Sequence, residues 1–425
     1  MNTPNAKDRE ISPEQLCIGL YVHLDLPWTE HPFTFSSFKI KSLDQIATLQ
    51  ALGLKSLRFS PERSDGQPLE RPTDAPAPPP AAAHPSQDDP AYQVKRERLA
   101  RMAAHQAKVA ACERALMSSG RAVKSITQNL FAKPKEAYEE ASTLIGGMAD
   151  SMLVDADVAI QLMADKIGNE DVYYHSLNVA ILSMILAREL KAPAAAVKLV
   201  GLGALLHDIG KADLPDRVVR KFTPLTTAEA AVFQLHCEKG VAMGKAMGVS
   251  AEVRAIIEQH HEMVDGSGYP RRLNGSQLTL LTRIVALVNA YDNLCNPLDP
   301  QRALTPHEAM SIIYGQRRAQ FDGMVLTTFV RSVGIYPPGT VVALSNGTLG
   351  MVVSVNSSRP LKPTVLVYDP GVPKDSAVVV DLEQEPDVTV SSTLRPAQLP
   401  ADVFDYLSPR KRTTYYFNAE RGAAS

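Results

Sequence analysis

Features that would classify this chain at once are scarce in its sequence. Its 425 residues contain four scattered cysteines, Cys17, Cys112, Cys237 and Cys295, and no two of them have the Cys-x-x-Cys spacing. This distribution argues against both a disulfide framework and a thiolate zinc site. Reduced thiols in a cytoplasmic protein fit it best.

A large net charge and a long apolar run are also missing. The chain has 44 basic and 46 acidic residues, a formal charge of -2, so any anionic ligand must be met by local charges. Duplex nucleic acid is therefore not an expected partner. The N-terminus has no apolar signal core, and the richest apolar runs, 177–187 and 197–206, are too short or too charge-flanked to span a bilayer. We expect a cytoplasmic protein without a membrane anchor.

The pattern of apolar and turn residues divides the chain into five parts. It predicts a small α+β module over 1–64 and a disordered Pro- and Ala-rich linker over 65–90. Residues 91–144 predict connecting helices, whose narrow apolar stripe fits either a homodimer or docking on the chain's own domain. Residues 145–325 predict consecutive helices, and 326–425 a small β extension with a tail. The expected fold class is mainly α, with a helical bundle as the main domain.

Histidines recur through the helical part about a helix pair apart. They are His175, His207, His236, His260 and His261, and Asp208 follows the second of them directly. Bundles build metal sites by pointing one or two such ligands inward from each of several helices. Adjacent histidines on a helix point about 100° apart, so His260 and His261 are expected to serve two metals, or one metal and a substrate. Gly266 and Gly268 let the next turn fold back against them.

These residues carry a resemblance to a known family. The run 204–211, His236 and the stretch 260–270, which ends Asp-Gly-Ser-Gly-Tyr-Pro, resemble the HD-GYP domain of the HD phosphohydrolase superfamily. The resemblance spans about residues 145–325. It implies an all-helical phosphodiesterase that hydrolyses the bacterial second messenger cyclic di-GMP to pGpG or GMP, with two or three divalent ions, usually iron or manganese. The segment 27–33 is similar to a domain of uncharacterised function that often precedes HD-GYP domains.

The resemblance also implies a role for each motif residue. The implied metal ligands are His175, His207, Asp208, His236, His260 and His261, with Asp208 bridging two ions. Asp171, or alternatively Glu170, would supply a carboxylate to a third. Two such cations polarise a phosphodiester and lower the pKa of a bridging water, so no side-chain nucleophile is required. Lys211 would offset charge on a phosphate oxygen and act with Asp208 in catalysis. The implied substrate contacts include Lys211, Gly268 and Tyr269.

Two positions depart from the family pattern. Asn289 stands where the family has an aspartate ligand, and its amide oxygen brings no negative charge, so one metal should bind more weakly. Asp292, one turn on, has its own counterpart in the family and is not an obvious replacement. The basic residues that often follow this helix are missing too. Arg271, Arg272 or Arg302 are candidates to contact the substrate phosphates instead.

Two functions follow from these observations. The first is a metal-dependent cyclic di-GMP phosphodiesterase. The alternative, favoured by Asn289, is a catalytically impaired HD-GYP domain that binds the dinucleotide and acts as a sensor or as a platform for signalling proteins, which would dock through the Gly-Tyr-Pro loop. The remaining interpretation is an HD hydrolase acting on another cyclic dinucleotide or phosphoester.

Overall fold

The structure, a computed structural model, describes most of the chain. The described residues are 8–26, 31–33, 35–70, 90–154, 159–162, 171–355, 359–370, 372, 374, 377–407 and 415–418. Most of the predicted linker, Glu170 and much of the predicted tail lie outside the described residues. Asp171 is described only by its backbone, as the first residue of a helix.

The N-terminal module is an antiparallel sheet with one helix. Its strands are β1 Arg9–Ile11, β2 Tyr21–His23, β3 Ser37–Lys39 and β4 Leu57–Phe59, in the order β1-β4-β2-β3, and its helix is α1 Leu43–Ala51. The Ser42 side chain accepts a hydrogen bond from the backbone N–H of Gln45 and so starts α1. Leucine, valine and phenylalanine side chains from both layers form its core. The predicted α+β module is confirmed.

The main domain is helical, as predicted. Its helices are α2 Pro90–Asn129, α3 Pro134–Val154, α4 Asp171–Glu189, α5 Ala194–Leu206, α6 Asp216–Val219, α7 Thr227–Gln234, α8 His236–Met247, α9 Ala251–Gln259, α10 Leu280–Cys295, α11 Pro306–Gly315 and α12 Gly323–Val333. Helices α4 and α5 are buried on nearly all sides because both are apolar around most of their circumference. Leu116, Val123 and Ile126 of α2 pack into the same core, so this half of the α2 stripe docks on the chain's own domain.

A second sheet follows the helical domain. Its strands are β5 Ala159–Leu162, β6 Val341–Leu344, β7 Leu349–Val355, β8 Thr364–Val367, β9 Val378–Asp381, β10 Val390–Leu394 and β11 Tyr415–Asn418, with helix α13 Ala401–Leu407 beside them. The predicted hairpin joins β6 to β7 through Asn346 and Gly347. Strand β5 was not predicted. It comes from between α3 and α4, and it pairs with β7 and β11.

The N-terminal module packs against this second sheet. Arg63 lies 3.7 Å from the centre of the Tyr21 ring and donates a 2.7 Å hydrogen bond to the backbone oxygen of Asn346, in the β6–β7 turn. Phe35 is buried among the valines of the sheet, and Lys41 forms a 3.1 Å ion pair with Asp387. The two ends of the chain therefore meet, which the sequence did not predict. No helix in the described part of the chain is both long enough and apolar enough to cross a bilayer.

Candidate metal centre

The predicted histidines meet because helices end at them. His207 caps the C-terminus of α5, His260 caps α9, and His236 follows the end of α7 as the first residue of α8. The last carbonyls of a helix have no N–H partner within it. Each of these imidazoles supplies an N–H donor to such a carbonyl. Its Nδ1 lies 2.6–2.9 Å from the carbonyl oxygen three residues earlier, on Ala204, Phe233 or Ile257. The Nδ1 atom therefore carries the proton, and the bare Nε2 points away from the helix.

His175 is oriented by a side chain rather than by the backbone. It lies in the first turns of α4, and its Nδ1 is 2.6 Å from Oδ2 of Asp292 on α10. A carboxylate beside Nδ1 holds the proton there and fixes the ring, as carboxylates commonly do behind metal-binding histidines. Asn178 and Asn296 donate to the other Asp292 oxygen at 2.8 and 3.0 Å. Asp292 is thus fully engaged in orienting His175 and is not available to replace Asn289 as a ligand.

Bare nitrogens converge in two pairs. The Nε2 atoms of His175 and His207 are 3.3 Å apart, and those of His236 and His260 are 3.2 Å apart. Because Nδ1 of each ring faces an oxygen acceptor, each pair brings two lone pairs together with no proton between them. A cation between them would remove this repulsion. Ligand atoms about 2.1 Å from one ion lie roughly 3.0–3.4 Å apart, which these spacings match.

Asp208 lies between the two pairs and faces both. Its Oδ2 is 3.2 and 3.6 Å from Nε2 of His207 and His175, and its Oδ1 is 3.5 and 3.6 Å from Nε2 of His236 and His260. The Oδ1 atom is buried and has no hydrogen-bond partner among the described residues. We call His175 and His207 the first half of the centre, and His236, His260 and His261 the second half. One carboxylate is therefore placed to bridge two ions.

His261 lies with the second half, so the adjacent pair meets at one half of the centre. His260 is the C-cap of α9 and has a φ of -65° and a ψ of -8°. The ring centres of His260 and His261 are only 4.2 Å apart, and the candidate ligand atoms of both lie within 4.8 Å of those of Asp208 and His236. The Nε2 of His261 is buried, and no residue in the described part of the chain forms a hydrogen bond with it.

The electrostatics of the site suit a cation. Burial lowers the pKa of His236 and His261 and brings that of His260 to about 3, so these imidazoles stay neutral and able to ligate. Burial alone would raise the pKa of Asp208, but electrostatic interactions with His207 and Lys211 outweigh it and hold that pKa well below its usual range. Lys211 Nζ lies 2.5 Å from Asp208 Oδ2.

Comparisons with known proteins agree with this geometry. A family described as "Domain of unknown function (DUF3391)" matches residues 8–141, and one described as "HD domain" matches residues 148–325. A protein of Pseudomonas aeruginosa named a cyclic di-GMP phosphodiesterase is 30% identical over 367 residues, which is 85% of each chain. The chain belongs to the HD-GYP family.

Other HD-GYP relatives match shorter stretches. A cyclic di-GMP phosphodiesterase response regulator of Xanthomonas campestris is 33% identical over 35% of this chain and 39% of its own. A 3'3'-cGAMP-specific phosphodiesterase of Vibrio cholerae is 31% identical over 38% of this chain and 37% of its own. Among solved structures, an HD-GYP-type protein of Bdellovibrio bacteriovorus is 16% identical and covers 76% of this chain and 98% of its own, with a TM-score of 0.43.

The Gly-Tyr-Pro loop of the HD-GYP domain is held tightly against the second half. The Tyr269 ring stacks on His261 with centres 4.5 Å apart, and burial raises the pKa of Tyr269 well above its usual range. A Cβ atom on Gly268 would lie 2.5 Å from the backbone of Glu262 and His261, so only glycine fits there without a shift. Glu262, to which the sequence assigned no role, is buried and accepts the backbone N–H groups of Arg271 and Leu273 at 2.6 and 2.9 Å.

Two further contacts position the residues around Asp208. Gly210 packs on the first turn of α8. A Cβ atom at this position would lie 1.9 Å from the carbonyl oxygen of His236, so only glycine allows the His-Asp run to lie this close to α8. Lys211 Nζ is 5.2 Å from the centre of the Phe233 ring. Both contacts join the end of α5 to the second half of the centre.

A cavity of about 180 Å³ opens beside the second half. Imidazoles of His260 and His261, amides of Asn289 and Asn293 and the guanidinium of Arg317 line it, together with apolar side chains. Asn289 is buried, and its Oδ1 accepts a 2.7 Å hydrogen bond from Asn293, so the oxygen that could ligate a cation is already engaged.

The candidate phosphate-binding arginines lie elsewhere. Arg271, Arg272 and Arg302 are exposed and do not line this cavity, whereas Arg317, which sequence reasoning missed, does. Arg271 lies 3.9 Å from Glu258, and Arg272 has a left-handed backbone with a φ of 55°. The structure therefore brings together His175, His207, Asp208, Lys211, His236, His260, His261, Gly268 and Tyr269, with Asn289 at the edge of the group.

Proposed function

We propose that this chain is a two-metal phosphodiesterase that hydrolyses cyclic di-GMP to pGpG, GMP or both. The observation that carries the proposal is that Nε2 atoms converge in two pairs, with one pair facing each carboxylate oxygen of Asp208. A single buried carboxylate between two such pairs is the donor arrangement of a dinuclear site. Iron or manganese suits histidine and carboxylate ligands together.

In this proposal each residue of the centre has a separate role. His175 and His207 would hold one ion, His236, His260 and His261 the other, and Asp208 would bridge them. Bound there, the ions supply Lewis-acid activation of a phosphodiester and of a water. Lys211 is placed at Asp208 Oδ2 to take a phosphate oxygen and offset negative charge as the transition state forms. Asp292 keeps His175 in its ligating tautomer. A third ion at Asp171 or Glu170 stays a prediction.

The substrate is proposed from the relatives together with the site. The relative that covers most of the chain is named a cyclic di-GMP phosphodiesterase, and shorter matches are named for cyclic di-GMP or for 3'3'-cGAMP. Gly268 and Tyr269 lie beside His261 and in this proposal contact the nucleotide. Arg271 and Arg272, exposed on the same loop, stay candidates for contact with the substrate or with a docked signalling protein.

A second function is favoured by the Asn289–Asn293 hydrogen bond. With its amide oxygen engaged, Asn289 supplies the second half with neither a free ligand atom nor a negative charge. A domain of this kind would retain the histidines and bind the dinucleotide without turning it over. It would then act as a sensor or platform.

One experiment separates the two functions. The full chain is purified without oxygen, its iron and manganese are counted by mass spectrometry, and cyclic di-GMP and 3'3'-cGAMP are followed by chromatography against pGpG and GMP standards. We expect two metal ions per chain and hydrolysis of cyclic di-GMP. Two bound metals with an intact but bound dinucleotide would establish the sensor instead. If the chain bound neither metal nor nucleotide, both functions would be excluded.

A further inference from the structure

Arg317 is an unusual cation within the part of the chain that the structure describes. It lines the cavity beside the second half, it is half-buried, and no described carboxylate forms an ion pair with it. Burial lowers the pKa of Arg317, and no neighbouring acidic group acts in the opposite direction. Proteins seldom leave a partly desolvated arginine without an anion, because burial of an unpaired charge is costly.

The side chain is held in place. Arg317 Nε donates a 2.7 Å hydrogen bond to Oε1 of Gln320, and its guanidinium lies 5.6 Å from the centre of the Phe321 ring. The backbone oxygen of Gln320 in turn accepts a 2.9 Å hydrogen bond from Val264, just after the histidine pair. The segment that carries Arg317 is thereby fixed to the Gly-Tyr-Pro loop. The terminal nitrogens of Arg317 form no hydrogen bond with the residues that the structure describes, so they are available to a ligand in the cavity.

The cavity joins the second half to Arg317, because His260, His261 and Arg317 all line it. Asn289 and Asn293 are four residues apart on α10, so their side chains line the cavity over about one helical turn. The described lining contains imidazole, amide and guanidinium groups but no carboxylate. Lys211 does not belong to this lining and contacts Asp208 Oδ2 instead. The two cations therefore serve different positions, with Lys211 at Asp208 and Arg317 in the cavity.

We infer that Arg317 binds a phosphate of the cyclic dinucleotide, the one that is not held at the metal ions. A cyclic dinucleotide carries two phosphodiester groups, and a site that holds one of them at Asp208 leaves the other to be neutralised elsewhere. A guanidinium is well suited to this because it presents paired N–H donors to phosphate oxygens. Arg317 is on this account a substrate-binding residue. The inference rests on the proposed function.

The test compares Arg317→Gln with Arg318→Gln. Arg318 is the adjacent arginine, exposed and 5.3 Å from the Tyr314 ring, so its replacement changes the net charge equally without altering the cavity. Binding of a non-hydrolysable phosphorothioate analogue of cyclic di-GMP is measured over a salt series with the metal-loaded full chain. We expect Arg317→Gln to weaken binding roughly 10- to 100-fold and to make it less dependent on salt, because one screened charge–charge attraction is lost. Arg318→Gln should change neither.

Two further measurements distinguish a phosphate contact from other roles. Arg317→Lys keeps the charge and should restore the salt dependence, whereas a dependence as weak as that of Arg317→Gln would indicate recognition of a base edge and overturn the inference. Arg317→Gln should raise KM more for cyclic di-GMP than for bis(4-nitrophenyl) phosphate, which has a single phosphate, and Arg318→Gln should raise neither. If the parent binds the analogue and Arg317→Gln binds it equally, the inference fails and the proposed function stands. If the parent neither binds the analogue nor hydrolyses cyclic di-GMP, both the inference and the proposed function are excluded.

Discussion

The two halves of the centre are oriented by different means. In the second half, the backbone carbonyls of Phe233 and Ile257 hold the rings of His236 and His260, each only three residues away. In the first half, the carbonyl of Ala204 holds His207 in the same way, but His175 depends on Asp292, a side chain 117 positions along the chain. The second half is therefore built into local helix ends, whereas the first half forms only when α4 and α10 are packed together. The first half should be the easier one to disrupt without unfolding the domain.

The substitution with the largest expected effect removes the residue that the halves share. Asp208→Asn keeps the shape of the side chain but withdraws the negative charge from both pairs of histidines. Replacement of groups behind metal ligands typically costs 10- to 100-fold, so loss of a bridging ligand should cost more than about 100-fold in turnover. Metal content and cyclic di-GMP hydrolysis should fall together. If Asp208→Asn lost only one metal, the halves would be independent sites and the carboxylate would not bridge them.

A smaller effect, confined to the first half, is expected from Asp292→Asn. The amide no longer holds the proton on Nδ1 of His175, so the bare Nε2 is presented less often. Affinity for one metal should fall about 10- to 100-fold while the other stays bound, which metal titration followed by mass spectrometry can resolve. Asp299→Asn, just beyond the end of α10, is the control and should titrate like the parent. Simultaneous loss of both metals would show that the halves cannot be separated.

The sequence named histidines of both halves, but it gave less of what surrounds those of the first half. The second half is marked locally, by the adjacent pair His260-His261 and by the Gly-Tyr-Pro turn that follows it. His175 was among the recurring histidines, but nothing near it in sequence pointed to Asp292 as its partner. Arg317 was missed because its place in the cavity results from the contact between Gln320 and Val264. Such long-range contacts are not encoded in local periodicity.

The same distinction between local and long-range contacts explains which strands of the second sheet could be predicted. The alternation of apolar and polar residues with an Asn-Gly turn was sufficient to predict the β6–β7 hairpin. Strand β5, by contrast, is a short segment between two long helices, and it becomes a strand only because β7 and β11 are there to pair with it. The contact of Arg63 with the β6–β7 turn likewise joins distant parts of the chain.

Asn289→Asp should increase metal affinity rather than lower it, because it adds a negative charge beside the second half. A charge about 4 Å from a cation contributes about 1 kcal/mol at the dielectric constant of water and more inside a protein. We therefore expect metal to bind roughly tenfold more tightly in this half, with Asn293 still able to donate to the new carboxylate. Asn293→Asp, one turn away in the same cavity, is the matched control and should have less effect. Unchanged metal affinity in Asn289→Asp would mean that this wall of the cavity is not part of the metal site.

The smallest expected effect concerns stability in the absence of metal. Burial lowers the pKa of His236 and His261, and brings that of His260 to about 3, whereas an unfolded histidine titrates near 6.5. Below pH 6.5 the unfolded chain therefore takes up protons that the folded second half excludes, so the free energy of unfolding should fall as the pH falls from 6.5 towards 3. Each imidazole contributes at most about 1.4 kcal/mol per pH unit. Urea unfolding of the metal-free chain between pH 7 and 4.5 measures this slope, and His260→Gln should flatten it by up to one such contribution. An equal slope in the parent and in His260→Gln would contradict burial of a neutral His260 in the folded chain.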